Sequence, residues 1–134
     1  MTNVTETLQV TVRYTGDRGA VLTVAGDVDL HTAPTLRERA VSVVEEGVPH
    51  LVLDLSQVDF VDSTGLSALI SLLHATQKAN GSVRLAAVPD RLVRMVNMTG
   101  ISQLLPVHPT VADALAAGAA DGATEPVRGA DTLG

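Results

Sequence analysis

The sequence predicts a small α/β domain: a mixed β-sheet that begins with an N-terminal hairpin and carries its helices mainly on one face. Three observations lead there. Leu8, Val10 and Val12 alternate with Gln9, Thr11 and Arg13, the period of a half-buried strand. Leu51, Val52, Leu53 and Leu55 form a short apolar run of the kind found in fully covered strands. From Leu66 the period changes, and Leu66, Leu69, Ile70 and Leu73 fall on one helical face. Strands that alternate with helices after a hairpin bury their apolar faces most simply as one layered α/β unit.

Taken in order, Tyr14 and Thr15 extend the first strand, Gly16-Asp17-Arg18-Gly19 supplies turn residues, and Ala20 to Ala25 returns as the second strand. Gly26 ends or bends it. Thr32 is the expected cap of a helix running to about Glu46, with Pro34 in its first turn, where a missing N–H costs nothing. Leu36, Ala40, Val43 and Val44 give this helix its apolar face, and Gly47 with Pro49 ends it. His50 then falls in a loop.

After the apolar strand, the central helix is expected from about Ser63 to Asn80, with Asn80-Gly81 as its stop. His74 sits on it as a boundary residue. Val83 to Val88 reads as a further buried strand, ended by Pro89. Asp90 can cap a short helix whose apolar positions are Leu92, Val93, Val96 and Met98, with Arg91 and Arg94 outside and Gly100 as its stop. Ile101, Leu104, Leu105 and Val107 suggest a last strand, and Thr110 the cap of a terminal helix carrying Val111, Ala114 and Leu115. The expected domain spans residues 1–117, and residues 118–134, nearly devoid of large apolar side chains, read as a disordered tail.

Composition removes several function classes. The 134 residues suit one domain with a real core. A net charge of -6, with one Tyr, one Phe and no Trp, provides neither the basic footprint nor the stacking platforms of a nucleic-acid binder. The absence of Cys removes disulfides and thiolate chemistry and is compatible with a cytoplasmic setting. No apolar run approaches a membrane span, and Met1 to Thr7 lacks the features of a signal peptide. A soluble cytoplasmic protein, with no nucleic acid, membrane or cofactor as partner, is the expectation. Nothing in the sequence sets its oligomeric state.

The chemistry concentrates between Val58 and Leu66. Asp62, Ser63, Thr64 and Gly65 join a strand to a helix with residue types that favour an N-cap and a tight turn. The first N–H groups of a helix lack internal partners and the dipole adds positive potential, so an anion on Ser63 would be tolerated. Local chemistry leaves two readings open: Ser63 as a plain cap, or Ser63 as a phosphoserine site with Thr64 as the less favoured acceptor. Asp27, Asp29 and His31, on alternate residues, suggest a divalent-ion site, but no further ligand cluster or calcium loop accompanies them, which favours solvated acids at a strand end. A hydrolase elbow is disfavoured because Val61 occupies the first small-residue position and neither His74 nor His108 is marked as a base. An aspartic protease fails on the spacing after Asp62. A kinase or NTPase fails for want of a phosphate loop.

Asp62-Ser63-Thr64-Gly65-Leu66, preceded by Phe60 and the apolar strand, resembles the signature of STAS domains of the bacterial anti-sigma-factor antagonist type. Gly26-Asp27-Val28-Asp29-Leu30-His31-Thr32-Ala33-Pro34 is similar to that family's segment leading into its first helix, and the likeness runs from about Leu8 to Ala117. The resemblance implies a binding switch. An unphosphorylated domain captures an anti-sigma factor, which is itself a serine kinase with a histidine-kinase-like ATPase domain, and so frees a sigma factor. Phosphorylation of the serine matching Ser63 releases the partner, and a serine phosphatase resets the switch. It also implies a partner surface at Asp27, Asp29, His31, Asp62, Ser63, Thr64, Gly65 and Leu66, with no catalytic role. The alternative within binding modules is a STAS scaffold or ligand sensor in which Ser63 only caps the helix.

Overall fold

The N-terminal hairpin forms as expected in the computed structural model, which describes residues 8–118. Its strands β1 (Gln9–Tyr14) and β2 (Gly19–Val28) pair antiparallel, with Val12 opposite Leu22. There follow α1 (Ala33–Glu45), β3 (His50–Val61), α2 (Ser63–Lys78), β4 (Ser82–Ala86), α3 (Asp90–Thr99), a 3-10 turn (Ile101–Gln103), β5 (Val107–His108) and α4 (Val111–Gly118). The sheet order is β1-β2-β3-β4-β5, and every pairing after the hairpin is parallel. Of the tail expected over residues 118–134, Gly118 ends α4 instead, and the rest lies outside the described residues, as does the segment Met1 to Thr7.

One face of the sheet carries the main core. Leu51, Leu53 and Leu55 on β3, with Leu22, Val24, Val83 and Leu85, meet Leu36, Ala40 and Val43 of α1, Ala68, Leu69 and Leu72 of α2 and Leu92 and Val96 of α3. The opposite face holds a smaller cluster, Val21, Val52 and Ala86 beneath Ala114 of α4. The helices are therefore mainly, but not all, on one side.

Several local expectations are corrected. The central strand does not stop at Leu55 but continues to Val61, with β2 alongside it. β4 ends opposite Asp54, so beyond that point β3 has a neighbour on one side only, and its polar residues Ser56, Gln57 and Asp59 stay exposed. Gly26, at φ +113°, bends β2 rather than ending it, and the ladder slips one register between Thr23 and Ala25 and again between Gly26 and Asp27. Those slips let two strands of different composition travel together to the same end.

β4 is shorter than Val83 to Val88 because Ala87 turns the chain at φ 56°. His50, expected in a loop, is instead the first residue of β3 and half-buried. Ile101 to Val107 is not one strand. Gly100 takes φ 80°, Leu105 N–H bonds back to Ile101 at 2.8 Å, and Ile101 and Leu105 bury together at helical spacing. Asp90 is the first residue of α3 rather than its cap, which is Pro89, and Met98 lies outside, 80% exposed. His74 is exposed on α2. Thr110 does cap α4, accepting the Asp113 N–H at 3.0 Å.

Candidate functional site

The overhanging ends of β2 and β3 carry the two segments singled out in the sequence, and Asp62 ties them together. As N-cap of α2 it accepts the Gly65 N–H on Oδ1 at 2.9 Å. Its Oδ2 accepts the Leu30 N–H at 3.2 Å, across 32 residues of chain. Its own N–H donates to the Val28 carbonyl at 3.1 Å, and its carbonyl accepts Leu66 N–H at 3.0 Å. Four polar contacts from one residue thus fix the start of α2 against the end of β2 and the loop that follows it.

Gly65 allows that approach. A Cβ built on it would lie 2.5 Å from the Val28 carbonyl oxygen and 2.9 Å from Cγ1 of both Val28 and Val61. The requirement here is space for a backbone to come close. Leu66, next along, is half-buried and packs on the main core.

Because Asp62 takes the cap, Ser63 does not. The cap reading of Ser63 is corrected: it is the first residue of α2, exposed, and its hydroxyl has no hydrogen-bond partner among the described residues. Thr64 beside it is half-buried. No described histidine reaches Ser63 to act as a base.

The loop from Asp29 to Thr32 is held by its own side chains. Asp29 Oδ1 accepts the backbone N–H of His31 at 2.9 Å and of Thr32 at 3.1 Å. The Thr32 hydroxyl donates to the Asp27 carbonyl at 2.6 Å and accepts the Asp29 N–H at 2.9 Å. Thr32 is the N-cap residue of α1, as expected, but its hydroxyl faces back towards β2 and makes no side-chain cap on the helix. Loss of solvent alone would raise the Asp29 carboxyl, but the donors from His31 and Thr32 outweigh it and hold the group below the ordinary aspartate value. Asp27 and His31 are exposed and Asp29 is half-buried, and no cluster of three or more metal-ligating side chains occurs among the described residues.

Three features escaped the sequence reading. Arg91 of α3 donates to the Asp59 carbonyl at 3.2 Å and reaches the Val58 carbonyl at 3.4 Å, and its guanidinium lies 3.6 Å from the Asp59 carboxylate. It thus occupies carbonyls of β3 beyond the end of β4. Leu30 and Phe60 are exposed at the same end of the sheet. Finally, Asp62, a turn residue by its sequence, also joins that turn to the loop after β2. No local signal marks a contact 32 residues away.

A small α/β domain that presents a free hydroxyl at the start of its central helix, beside a rigid loop and exposed apolar side chains, has the features of a regulatory binding module. The chain belongs to the STAS domain family, whose profile matches residues 9–114. It is 33% identical over 84 residues to the anti-sigma-B factor antagonist of Bacillus subtilis (strain 168), covering 63% of this chain and 76% of that one. The crystal structure of an anti-sigma factor antagonist from Mycobacterium paratuberculosis is 31% identical, with a TM-score of 0.76 over 89% of this chain and 99% of that one. An anti-sigma-factor antagonist (STAS) domain protein from Planctomyces limnophilus shares the fold at a TM-score of 0.71 and 18% identity, over 82% of this chain and 97% of that one. No helix among the described residues is long and apolar enough to cross a membrane.

Proposed function

We propose that this chain is an anti-sigma factor antagonist worked by a charge switch on Ser63. In its unmodified state it binds and sequesters an anti-sigma factor, a serine kinase with a histidine-kinase-like ATPase domain, and so frees a sigma factor for transcription. Phosphorylation of Ser63 by that partner ends the complex, and a serine phosphatase restores it. The partner surface comprises Ser63 and Thr64, the turn Asp62 to Leu66, and the exposed Asp27 and His31, with Asp29 holding the loop in shape.

The observation that carries this reading is the division of labour between neighbours: Asp62 caps α2, which leaves the exposed Ser63 hydroxyl available for modification. The relatives named as anti-sigma factor antagonists supply the partner class. Phosphate brings about -1.5 to -2 of charge at neutral pH. The helix start favours an anion, so the fold accommodates it. A partner closed over Ser63 and Asp62 meets repulsion and loses solvent around a dianion. A penalty of ~3 kcal/mol weakens binding by roughly a hundredfold or more.

The test is capture with the unmodified chain and with its phosphorylated form, followed by mass spectrometry of the bound proteins and of the chain itself. The expected result is an ATPase-kinase retained only by the unmodified chain, and phosphate on Ser63 after incubation of that kinase with ATP. Failure to retain such a kinase, or phosphate at other positions only, would overturn the proposal. The scaffold or sensor alternative predicts no modification at all.

A further inference from the structure

We infer that Leu30 and Phe60 are the apolar anchors that seat the anti-sigma factor, whose matching surface is a cationic rim around an apolar recess. The inference rests on the function proposed above and specifies the partner's chemistry at that site.

Phe60 is the only phenylalanine in the chain, yet it stands 48% exposed between Asp59 and the buried Val61. An aromatic ring normally contributes most when buried, so its position at the surface suits contact with another molecule. Leu30 is 63% exposed although its backbone is fixed by Asp62. One such leucine needs no explanation. Two large apolar groups from separate segments, presented at the same end of the sheet on an ordered backbone, do. Asp27 is the register partner of Phe60 across β2 and β3, and Leu30 is tied to the residue that precedes Ser63. Both anchors therefore lie at the end of the sheet from which β3 leads into Ser63.

The charge around them selects the occupant. Asp27, Asp29, Asp59 and Asp62 all lie at this end, and among the described residues the cation that meets them is Arg91, on Asp59. A second copy of this acidic chain or an anionic lipid surface would be repelled. A protein surface with Lys or Arg around an apolar recess is complementary in both respects. The same arrangement explains how one phosphate can suffice, because it adds to existing carboxylates next to contacts that must lose water together.

The probe is the ATPase-kinase identified by the capture experiment, purified and titrated calorimetrically against unmodified wild-type, Leu30→Ser, Phe60→Ser and Met98→Ser chains. Met98 is also apolar and is more exposed than either anchor, but lies seven residues along α3 from Arg91. The expected result is at least a tenfold loss of affinity for Leu30→Ser and for Phe60→Ser, as for central interface groups. Met98→Ser should stay within about twofold. The apolar exchanges Leu30→Met and Phe60→Leu should retain binding, and the rate of Ser63 phosphorylation should show a raised KM with unchanged kcat for the serine variants. Circular dichroism monitors folding of each. Wild-type affinity for folded Leu30→Ser and Phe60→Ser, or an equal loss for Met98→Ser, overturns the anchors while leaving the switch intact. Failure to capture any ATPase-kinase overturns the proposed function and this inference with it.

Discussion

Asp62 Oδ2 accepts the backbone N–H of Leu30 at 3.2 Å, while Oδ1 of the same carboxylate caps α2. One side chain thereby holds in register the two segments that the sequence separates by three decades of residues. The position of Ser63 relative to the β2–α1 loop depends on that carboxylate. So does any surface that a partner reads from both.

Removal of this tie is expected to loosen the site before it unfolds the domain. Asp62→Ala should lower stability by about 1–2 kcal/mol, the usual effect of losing an N-cap. Asp62→Asn, which keeps a capping oxygen, should cost much less. Denaturant unfolding measures both; amide exchange at Gly65 should rise selectively in the alanine variant, and at Leu30 in both, because the asparagine NH2 cannot accept that N–H. Equal stability of wild-type and Asp62→Ala would show that the cap is dispensable.

Gly65→Val tests the close approach directly. The added side chain meets the Val28 carbonyl oxygen, which is backbone and cannot swing aside. A loss of about 1–3 kcal/mol is expected, in the range of overpacked sites. Gly65→Ala should fall between the two, because its Cβ alone already makes the 2.5 Å contact. A thermal melt of each variant checks the order.

Ser63→Ala should abolish phosphate incorporation and leave a folded chain that stays bound to its partner. Continued incorporation would move the site to Thr64. Ser63→Asp should fold at little cost, because an acid in the first helical turn is favourable by about 0.3–1 kcal/mol. Its partner affinity should fall, though less than with phosphate, which carries more charge. Capture and calorimetry separate the two effects.

The lower end of the sheet gives a pH dependence unrelated to the switch. His50 Nδ1 lies 3.1 Å from Ser82 Oγ, which also accepts from Arg84 at 2.9 Å. Burial, and then the charges of Arg18 and Arg84, lower the His50 pKa from the ordinary histidine value of 6.5. Protonation therefore favours the unfolded chain: the contribution of neutral His50 is fully present above the unfolded value and is lost as pH falls below it towards the folded one. Stability measured downward from pH 7 should decline through this window, and His50→Gln should flatten that part of the curve.

Elements with strong periodicity were legible in the sequence. The hairpin, α1, α2 and the mixed α/β architecture follow from alternation, helical spacing and turn residues. The length of β3 was not, because Ser56, Gln57 and Asp59 look like loop residues until one sees that β4 ends beside Asp54 and leaves them in solvent. The Ile101 to Val107 segment misled for a related reason: Ile101 and Leu105 are buried at a spacing of four, which a strand assignment ignores. At the site, the strand-turn-helix setting of Ser63 could be read locally, but the tie of Asp62 to Leu30 and the turning of Thr32 towards Asp27 depend on neighbours distant or backward in the chain. Leu30 and Phe60 carry no sequence mark that distinguishes an exposed apolar residue from a buried one.

The most direct measurement is the affinity of the purified anti-sigma factor for this chain before and after stoichiometric phosphorylation of Ser63, under one salt condition. The account predicts tight binding by the unmodified form and a loss of roughly a hundredfold or more, equivalent to ~3 kcal/mol, on modification with the fold unchanged. The same dissociation constant for both forms would contradict it.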